Sequence, residues 1–126
     1  MLAYPWFKLS FVHHYIPGTR ESWHPCYARL KEGVAIEMLR EAYEEAYGGE
    51  YFIRLLKAGQ VANIKNVRYS NFCDISLHMD QRTGTFIAVS AIDNMVKGAA
   101  GQAVQNMNLA FGLEETTGLK LFPPAF

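Results

Sequence analysis

The feature that most constrains this chain is a change of sequence pattern between residues 86 and 112. The segment FIAV at 86–89 is an unbroken apolar run, which is typical of a strand buried on both faces. The segment SAIDNMVKGAAGQAVQNMNLAFG at 90–112 follows it, rich in Ala and Asn, long enough for a helix and ending in Gly. A buried strand that leads into a helix predicts a domain in which helices pack on a sheet.

The predicted helix begins with very small residues. Gly98 and Gly101 lie in its first turns, and each Gly costs about 1 kcal/mol of helix stability relative to Ala. Such a cost is usually offset where another backbone or a ligand approaches closely. Two interpretations stay open: a helix packed tightly on a sheet or a second subunit, or a helix N-terminus cleared of side chains for an anionic ligand.

Composition limits the class of protein. The 126 residues are 50% hydrophobic and 19% charged, which predicts a single domain over residues 1–126 with a packed core. Twelve basic and twelve acidic residues cancel, so we expect no nucleic-acid partner. Cys26 and Cys73 are too few for a disulfide framework, and we expect no metal site. No apolar run reaches the ~18 residues of a membrane span and no signal peptide is evident, so we expect a cytoplasmic protein without a membrane partner.

Charge is uneven along the chain. Residues 31–50 carry six Glu against two basic residues, whereas residues 51–71 carry four basic residues and no acidic one. The four are Arg54, Lys57, Lys65 and Arg68. They form either one solvated face of the domain or a basic strip at an anionic ligand or partner.

Hydrophobic periodicity predicts eight elements in the order β-β-α-β-β-β-β-α. We expect strands at residues 9–16, 22–30, 51–56, 64–72, 73–79 and 85–92, and helices at residues 34–47 and 95–111. The connection DQRTG at 80–84 is typical of a hairpin, and Pro25 favours an edge position or a bulge. Ala35 is a weak cap for the first helix, whereas Asp93 or Asn94 can cap the second. This order predicts an α+β fold with a mostly antiparallel sheet and helices packed on one face.

Two segments carry a resemblance to a known family. SNFCDI at 70–75 and SAIDNMVKGAAGQAVQNMNLAFGLEETTGL at 90–119 closely resemble the C-terminal part of the N-acetyl-gamma-glutamyl-phosphate reductases. The resemblance continues through residues 38–47 and KNVR at 65–68, and more weakly through FVHHYIPGTR at 11–20. It implies a domain similar to the C-terminal domain of dehydrogenases of the glyceraldehyde-phosphate and aspartate-semialdehyde type. The implied activity is the NADP-dependent reduction of an acyl phosphate in arginine biosynthesis.

The same resemblance implies that this chain lacks part of the family's catalytic machinery. In the family a Cys thiolate attacks the acyl phosphate, phosphate leaves, and NADPH reduces the resulting thioester. The family's nucleophile, its catalytic His and its Rossmann NADP domain belong to segments that precede the resembling part. We therefore expect no catalytic residue here and no activity from the chain alone. Cys73 matches a structural Cys of the family, and a pairing of Cys26 with His24 or His13 has no supporting motif.

Binding residues are also implied by the resemblance. Asn94 matches an Asn near the nicotinamide, with Lys97 and Gly98 beside it. The candidate substrate residues are His14 and Arg20, whose guanidinium can bind an acidic group through two hydrogen bonds. From the residues alone, Asn94 is equally well a helix cap, and Arg20 a solvated loop charge.

The family also implies a partner, a second copy of the chain. A further hypothesis is that the chain complements a separate Rossmann-domain chain. The competing function is a non-catalytic module that self-associates through its sheet.

One departure from the family pattern stands out. Tyr69 occupies the position of a Gly that precedes Ser-Asn in the family. If that Gly has a positive φ, a Tyr there is strained by roughly 1–2 kcal/mol.

Overall fold

Five strands form one mixed sheet in the order β1-β2-β5-β4-β3. The structure is a computed structural model that describes residues 10–11 and 20–124. The strands are β1 (Ser10–Phe11), β2 (Glu21–Arg29), β3 (Ile53–Leu55), β4 (Cys73–Asp80) and β5 (Thr85–Asp93). Only β3 and β4 are parallel. The α+β class with a mostly antiparallel sheet is confirmed.

The β4–β5 hairpin forms where its turn residues predicted it. The backbone N–H of Gly84 donates to the carbonyl of Asp80 at 2.8 Å, and Gly84 adopts φ +64°. The Asp80 carboxylate accepts hydrogen bonds from the Thr83 hydroxyl and the Arg82 N–H, which lower the pKa of Asp80. The turn is thus stabilised by its own side chains.

Helix α1 (Ile36–Tyr47) also lies close to its predicted bounds. Its N-cap residue, Ala35, makes no side-chain capping bond, as expected for Ala. Leu39 and Tyr43 of α1 pack against Phe86, in a hydrophobic cluster with Leu77 and Ala88. This packing fixes the helix on one face of the sheet.

The other face carries a second hydrophobic cluster. Side chains alternate along β5, so Val89 and Ala91 point away from α1. They meet Phe52 and Val67, which are 2% and 0% exposed. Burial on both faces of β5 confirms the interpretation of its apolar run.

The predicted strand at 64–72 is wrong. Ile64–Asn66 is a single 3₁₀ turn, and the Asn63 side chain accepts a hydrogen bond from the N–H of Lys65 at its start. A further turn, with the Ser70 N–H bonded to the Val67 carbonyl, leads to Tyr69 at φ 57°. Side-chain capping and a left-handed residue compete with strand pairing, although the local composition favours a strand.

Three further bounds differ from prediction. β3 covers only three residues of the predicted strand 51–56. The helix predicted at 95–111 is a π-helical turn (Val96–Ala100) followed by α2 (Gly101–Ala110). Of the strand predicted at 9–16, only Ser10–Phe11 is described, and the rest, including His14, lies outside the described residues. No helix in the described part of the chain is long and apolar enough to cross a membrane.

Candidate functional site

The candidate site is organised around a buried carboxylate at the end of β5. Asp93 is 1% exposed, and its Oδ1 accepts hydrogen bonds from the backbone N–H groups of Met95 and Val96 at 2.9 and 3.0 Å. Its Oδ2 accepts a third bond, from the N–H of Tyr69 at 2.8 Å. Three backbone donors compensate the burial of this charge. Asp93 therefore ties the 3₁₀ segment to the start of the π-helical turn.

Arg20 lies against the same carboxylate. Its Nε is 3.5 Å from Asp93 Oδ2, and 32% of its side chain is exposed. The Arg20 carbonyl accepts the N–H of Asn94 at 2.8 Å. The predicted substrate residue Arg20 and the predicted cofactor residue Asn94 are thus adjacent, and Arg20 is anchored to a buried acid rather than simply solvated.

Asn94 is exposed and does not cap the helix. The donors at the helix start bond to Asp93 instead, so the interpretation of Asn94 as the cap is wrong and that of Asp93 is confirmed. A Cβ at Gly98 would lie 2.8 Å from Asn94 Oδ1, which shows how closely the amide approaches Gly98. The absence of a side chain at Gly98 therefore allows the Asn94 amide its present position.

Lys97 is half-buried and bonds to other residues of the protein. Its Nζ donates to Gln105 Oε1 at 2.7 Å and lies 5.4 Å from the ring centroid of Phe52. Burial lowers the pKa of Lys97. The Gln105 amide in turn donates to the Glu115 carboxylate and accepts a bond from the Asn71 amide. Lys97 is therefore part of an internal polar network, and only Asn94 and Gly98 of the predicted cofactor residues are exposed.

Neither thiol in the structure resembles an activated nucleophile. Burial raises the pKa of Cys73 to about 11, despite an opposing effect of Lys97, so this thiol stays protonated at neutral pH. Cys26 packs on the α1 side of the sheet with Ala88 and Leu77. This agrees with a structural role for Cys73. No cluster of three metal-ligating side chains occurs in the described ranges 10–11 and 20–124.

Two arginines of the basic segment 51–71, Arg54 and Arg68, have different surroundings. Arg54 pairs with the buried carboxylate of Asp74, with Nε 2.6 Å from Oδ1, and donates to the Asn66 carbonyl at 2.7 Å. Burial raises the pKa of Asp74, and the bond to Arg54 opposes that rise. The Arg54 charge is thus used within the fold. Arg68 lies instead near Tyr69, with its guanidinium carbon 5.7 Å from the ring centroid.

Sequence reasoning missed the polar side of α2. Its buried residues are Gly101, Gln105 and Asn108, which follow the spacing of one helix face. A Cβ at Gly101 would overlap Asn71 Oδ1, and Asn108 bonds the carbonyls of Glu115 and Thr117. The exposed large apolar residues are Met107 and Leu109 in α2 and Phe111 and Leu113 just after it, and 77% of Phe111 is exposed. The spacing of Gly, Gln and Asn was the available signal, but polar residues usually indicate the solvent face.

The chain is similar in sequence to proteins of one family. The model of the semialdehyde dehydrogenase dimerisation domain matches residues 2–94. The N-acetyl-gamma-glutamyl-phosphate reductase of Brachyspira hyodysenteriae is 51% identical over 120 residues, covering 94% of this chain and 34% of that protein. The protein of the same name from Bacillus anthracis is 49% identical over 115 residues, covering 91% and 33%. The matches lie in the C-terminal part of these proteins. The chain thus spans about a third of the length of the curated relatives it matches.

The fold has a counterpart among solved structures. The aspartate semialdehyde dehydrogenase II of Vibrio cholerae, solved in complex with ASA, superposes with a TM-score of 0.59 at 17% identity. The superposition covers 77% of this chain and 29% of that chain, and at this identity it concerns the fold alone. With the family model matching residues 2–94, the chain belongs to the semialdehyde dehydrogenase dimerisation-domain family.

Proposed function

We propose that this chain acts as the dimerisation domain of an N-acetyl-gamma-glutamyl-phosphate reductase, an NADP-dependent cytoplasmic enzyme of arginine biosynthesis. The observation that carries the proposal is the 51% identity to a protein of that name over 94% of the chain. The fold shared with an aspartate semialdehyde dehydrogenase supports it. In this proposal residues 1–126 form one domain that works with a Rossmann NADP domain from elsewhere in the assembly.

The chain contributes binding groups to the reaction. Arg20, held by Asp93, binds the acidic group of the substrate, since a guanidinium can pair with an oxyanion through two hydrogen bonds. Asn94, kept in place against Gly98, holds the carboxamide of the nicotinamide, for which an amide is both donor and acceptor. NADPH, when bound, supplies the hydride. His14 is proposed to face the substrate, on resemblance alone.

Lys97 has a less direct part in this proposal. Its ammonium is bonded to Gln105, so it acts on an anionic cofactor through its charge and through the position of the helix start. Lys97 therefore serves the cofactor end without occupying the exposed surface beside Asn94.

The nucleophile comes from another part of the assembly. Acyl transfer to sulfur needs a thiolate, and burial raises the pKa of Cys73 to about 11. Cys26 is packed in the core cluster beside α1. The chain alone is therefore proposed to bind and to dimerise without catalysing the reduction.

The assignment is tested on a fusion protein. The upstream two thirds of the Brachyspira hyodysenteriae relative would be joined to this chain, and NADPH oxidation would be followed with N-acetyl-gamma-glutamyl phosphate. We expect Asn94→Ala to raise the KM for NADPH and Arg20→Ala to raise the KM for the acyl phosphate, each by about tenfold for one lost charge-assisted or bidentate contact. Arg82→Ala, in the hairpin turn, is the matched control. Equal effects of both variants on both KM values would contradict these roles.

A second candidate is supported by the exposed apolar residues in and just after α2. Large apolar residues that cover no core are typical of surfaces where proteins associate. The chain is then proposed to be a self-associating module without a reaction. An inactive fusion protein that still forms dimers would favour this candidate.

A further inference from the structure

A cavity of about 610 Å³ lies between β3, the 3₁₀ turn and the prolines at 123–124. Arg54 and Leu56 line it from β3 and the residue just after, Lys65 and Asn66 from the 3₁₀ turn, and Asp74 from β4. Its volume lies in the range of small-molecule sites. Its lining includes none of the residues proposed above to bind substrate or cofactor.

The Arg54 guanidinium is held in one orientation at this cavity. Its Nε donates to Asp74 Oδ1 at 2.6 Å, and its Nη2 donates to the Asn66 carbonyl at 2.7 Å. Its carbon lies 4.4 Å from the ring centroid of Phe72, so that ring covers one face. The guanidinium makes no other bond to the described residues, and 37% of the side chain is exposed. The remaining N–H groups are therefore available to an oxyanion in the cavity.

Lys65 brings a second cation to the same cavity. The Asn63 side chain accepts the Lys65 N–H and so fixes the start of the 3₁₀ turn. The Lys65 side chain is exposed, and its ammonium has no hydrogen bond or ion pair within the part of the chain that the structure describes. Because the next residue, Asn66, bonds to Arg54, the turn holds the two cations at one cavity.

The charges of the lining favour one kind of anion. Asp74 is 1% exposed and its carboxylate balances the Arg54 charge, so Lys65 supplies the uncompensated positive charge. A singly charged carboxylate balances Lys65, whereas the Asp74 carboxylate would repel a doubly charged phosphate more strongly. Leu56 and the prolines at 123–124 provide an apolar wall on which a hydrocarbon group can pack.

We propose that this cavity, termed here the Arg54–Lys65 cavity, binds a small monocarboxylate that carries an apolar group. Arg54 and Lys65 bind the carboxylate, and the apolar wall holds the rest of the ligand. This ligand site goes beyond the proposed function, because it shares no residue with the groups assigned to the reduction.

The site is tested by titrating the chain itself with benzoate, which carries one carboxylate on an apolar ring. The backbone N–H signals of Leu56, Lys65 and Asn66 would be followed by NMR at pH 7 and constant ionic strength. We expect a millimolar Kd for benzoate. Binding should be about tenfold weaker for acetate, which lacks the ring, for benzamide, which lacks the charge, and for inorganic phosphate.

Variants separate the two cations from the acid. Lys65→Met should raise the Kd about fivefold, whereas Lys57→Met, at an exposed lysine outside the lining, should leave it within twofold. Asp74→Asn should lower the Kd about threefold, because it removes a competing negative charge. Arg54→Met combined with Asp74→Leu removes the pair without leaving a buried charge unpaired, and should abolish binding. Urea unfolding of each variant shows whether the fold is retained.

The proposal is overturned by no saturable binding of benzoate, by equal binding of benzamide, or by an unchanged Kd in Lys65→Met. Phosphate that binds more tightly than benzoate contradicts the carboxylate as occupant, and acetate that binds as tightly contradicts the apolar group. Because the titration needs no turnover, its failure leaves the reductase assignment intact. Conversely, an inactive fusion protein does not affect the titration.

Discussion

At the scale of single residues, Asp93 connects three parts of the chain. A buried carboxylate is tolerated only where hydrogen bonds compensate its desolvation, and here three backbone N–H groups do so. They come from Tyr69, Met95 and Val96, while Arg20 supplies the counter-charge. The positions of Arg20 and Tyr69 therefore depend on one side chain.

Substitutions of Tyr69 measure the backbone strain at this residue. Tyr69→Gly and Tyr69→Ala both remove the ring, but only Gly adopts φ 57° without a steric cost. We expect Tyr69→Gly to be more stable than Tyr69→Ala by about 1 kcal/mol. Urea unfolding measures the difference, which corresponds to about 4 °C in Tm for a domain of this size. Equal stability of the two variants would show that the backbone here is unstrained.

Cys73 gives the domain a pH dependence with a defined sign. The folded protein keeps the thiol proton up to about pH 11, whereas the unfolded chain releases it near 9.0. The stabilising contribution is therefore complete below pH 9 and is lost as the pH rises from 9 to 11. We expect the free energy of unfolding to fall by about 1 kcal/mol more in the wild type than in Cys73→Ala between pH 7.5 and pH 10. Parallel pH profiles for the wild type and Cys73→Ala would refute the raised pKa.

At the scale of elements, the two glycines at the helix start have different roles. A Cβ at Gly101 would overlap the buried Asn71 amide and lie 2.8 Å from the Val96 carbonyl, whereas a Cβ at Gly98 meets the exposed Asn94 side chain. We expect Gly101→Ala to cost about 1–3 kcal/mol by overpacking. Gly98→Ala should change stability by less than about 0.5 kcal/mol, because a surface side chain can move. Thermal unfolding compares them, and a neutral Gly101→Ala would contradict the close packing.

The elements also show which parts of the fold can be predicted from the sequence alone. The β4–β5 hairpin and α1 follow from turn residues and apolar periodicity, which act locally. The segment after Asn63 could not be predicted in this way. Its composition favours a strand, but the Asn63 side chain caps a 3₁₀ turn and Tyr69 is left-handed. In the site, Asn94 and Arg20 could be singled out by resemblance. The bond between the Asn94 N–H and the Arg20 carbonyl, and the bond of Lys97 to Gln105, could not be predicted, because they depend on contacts between separate segments.

At the scale of the whole molecule, the exposed apolar residues in and just after α2 predict association. Phe111 is 77% exposed and Leu109 is 57% exposed, without covering any described core. We expect a dimer or larger species at tens of micromolar, a concentration on the order of ordinary weak interface constants. Sedimentation equilibrium measures this. A clean monomer at that concentration would argue against self-association.

The central claim is that this chain supplies binding groups and a dimer surface to a reductase whose nucleophile lies on another segment. It is tested most directly by NADPH oxidation with N-acetyl-gamma-glutamyl phosphate, measured for this chain alone and after mixing with the separately produced upstream two thirds of the Brachyspira hyodysenteriae relative. We predict no oxidation by either part alone and measurable turnover by the mixture. Turnover by this chain alone, abolished in Cys26→Ser or Cys73→Ser, would contradict the claim.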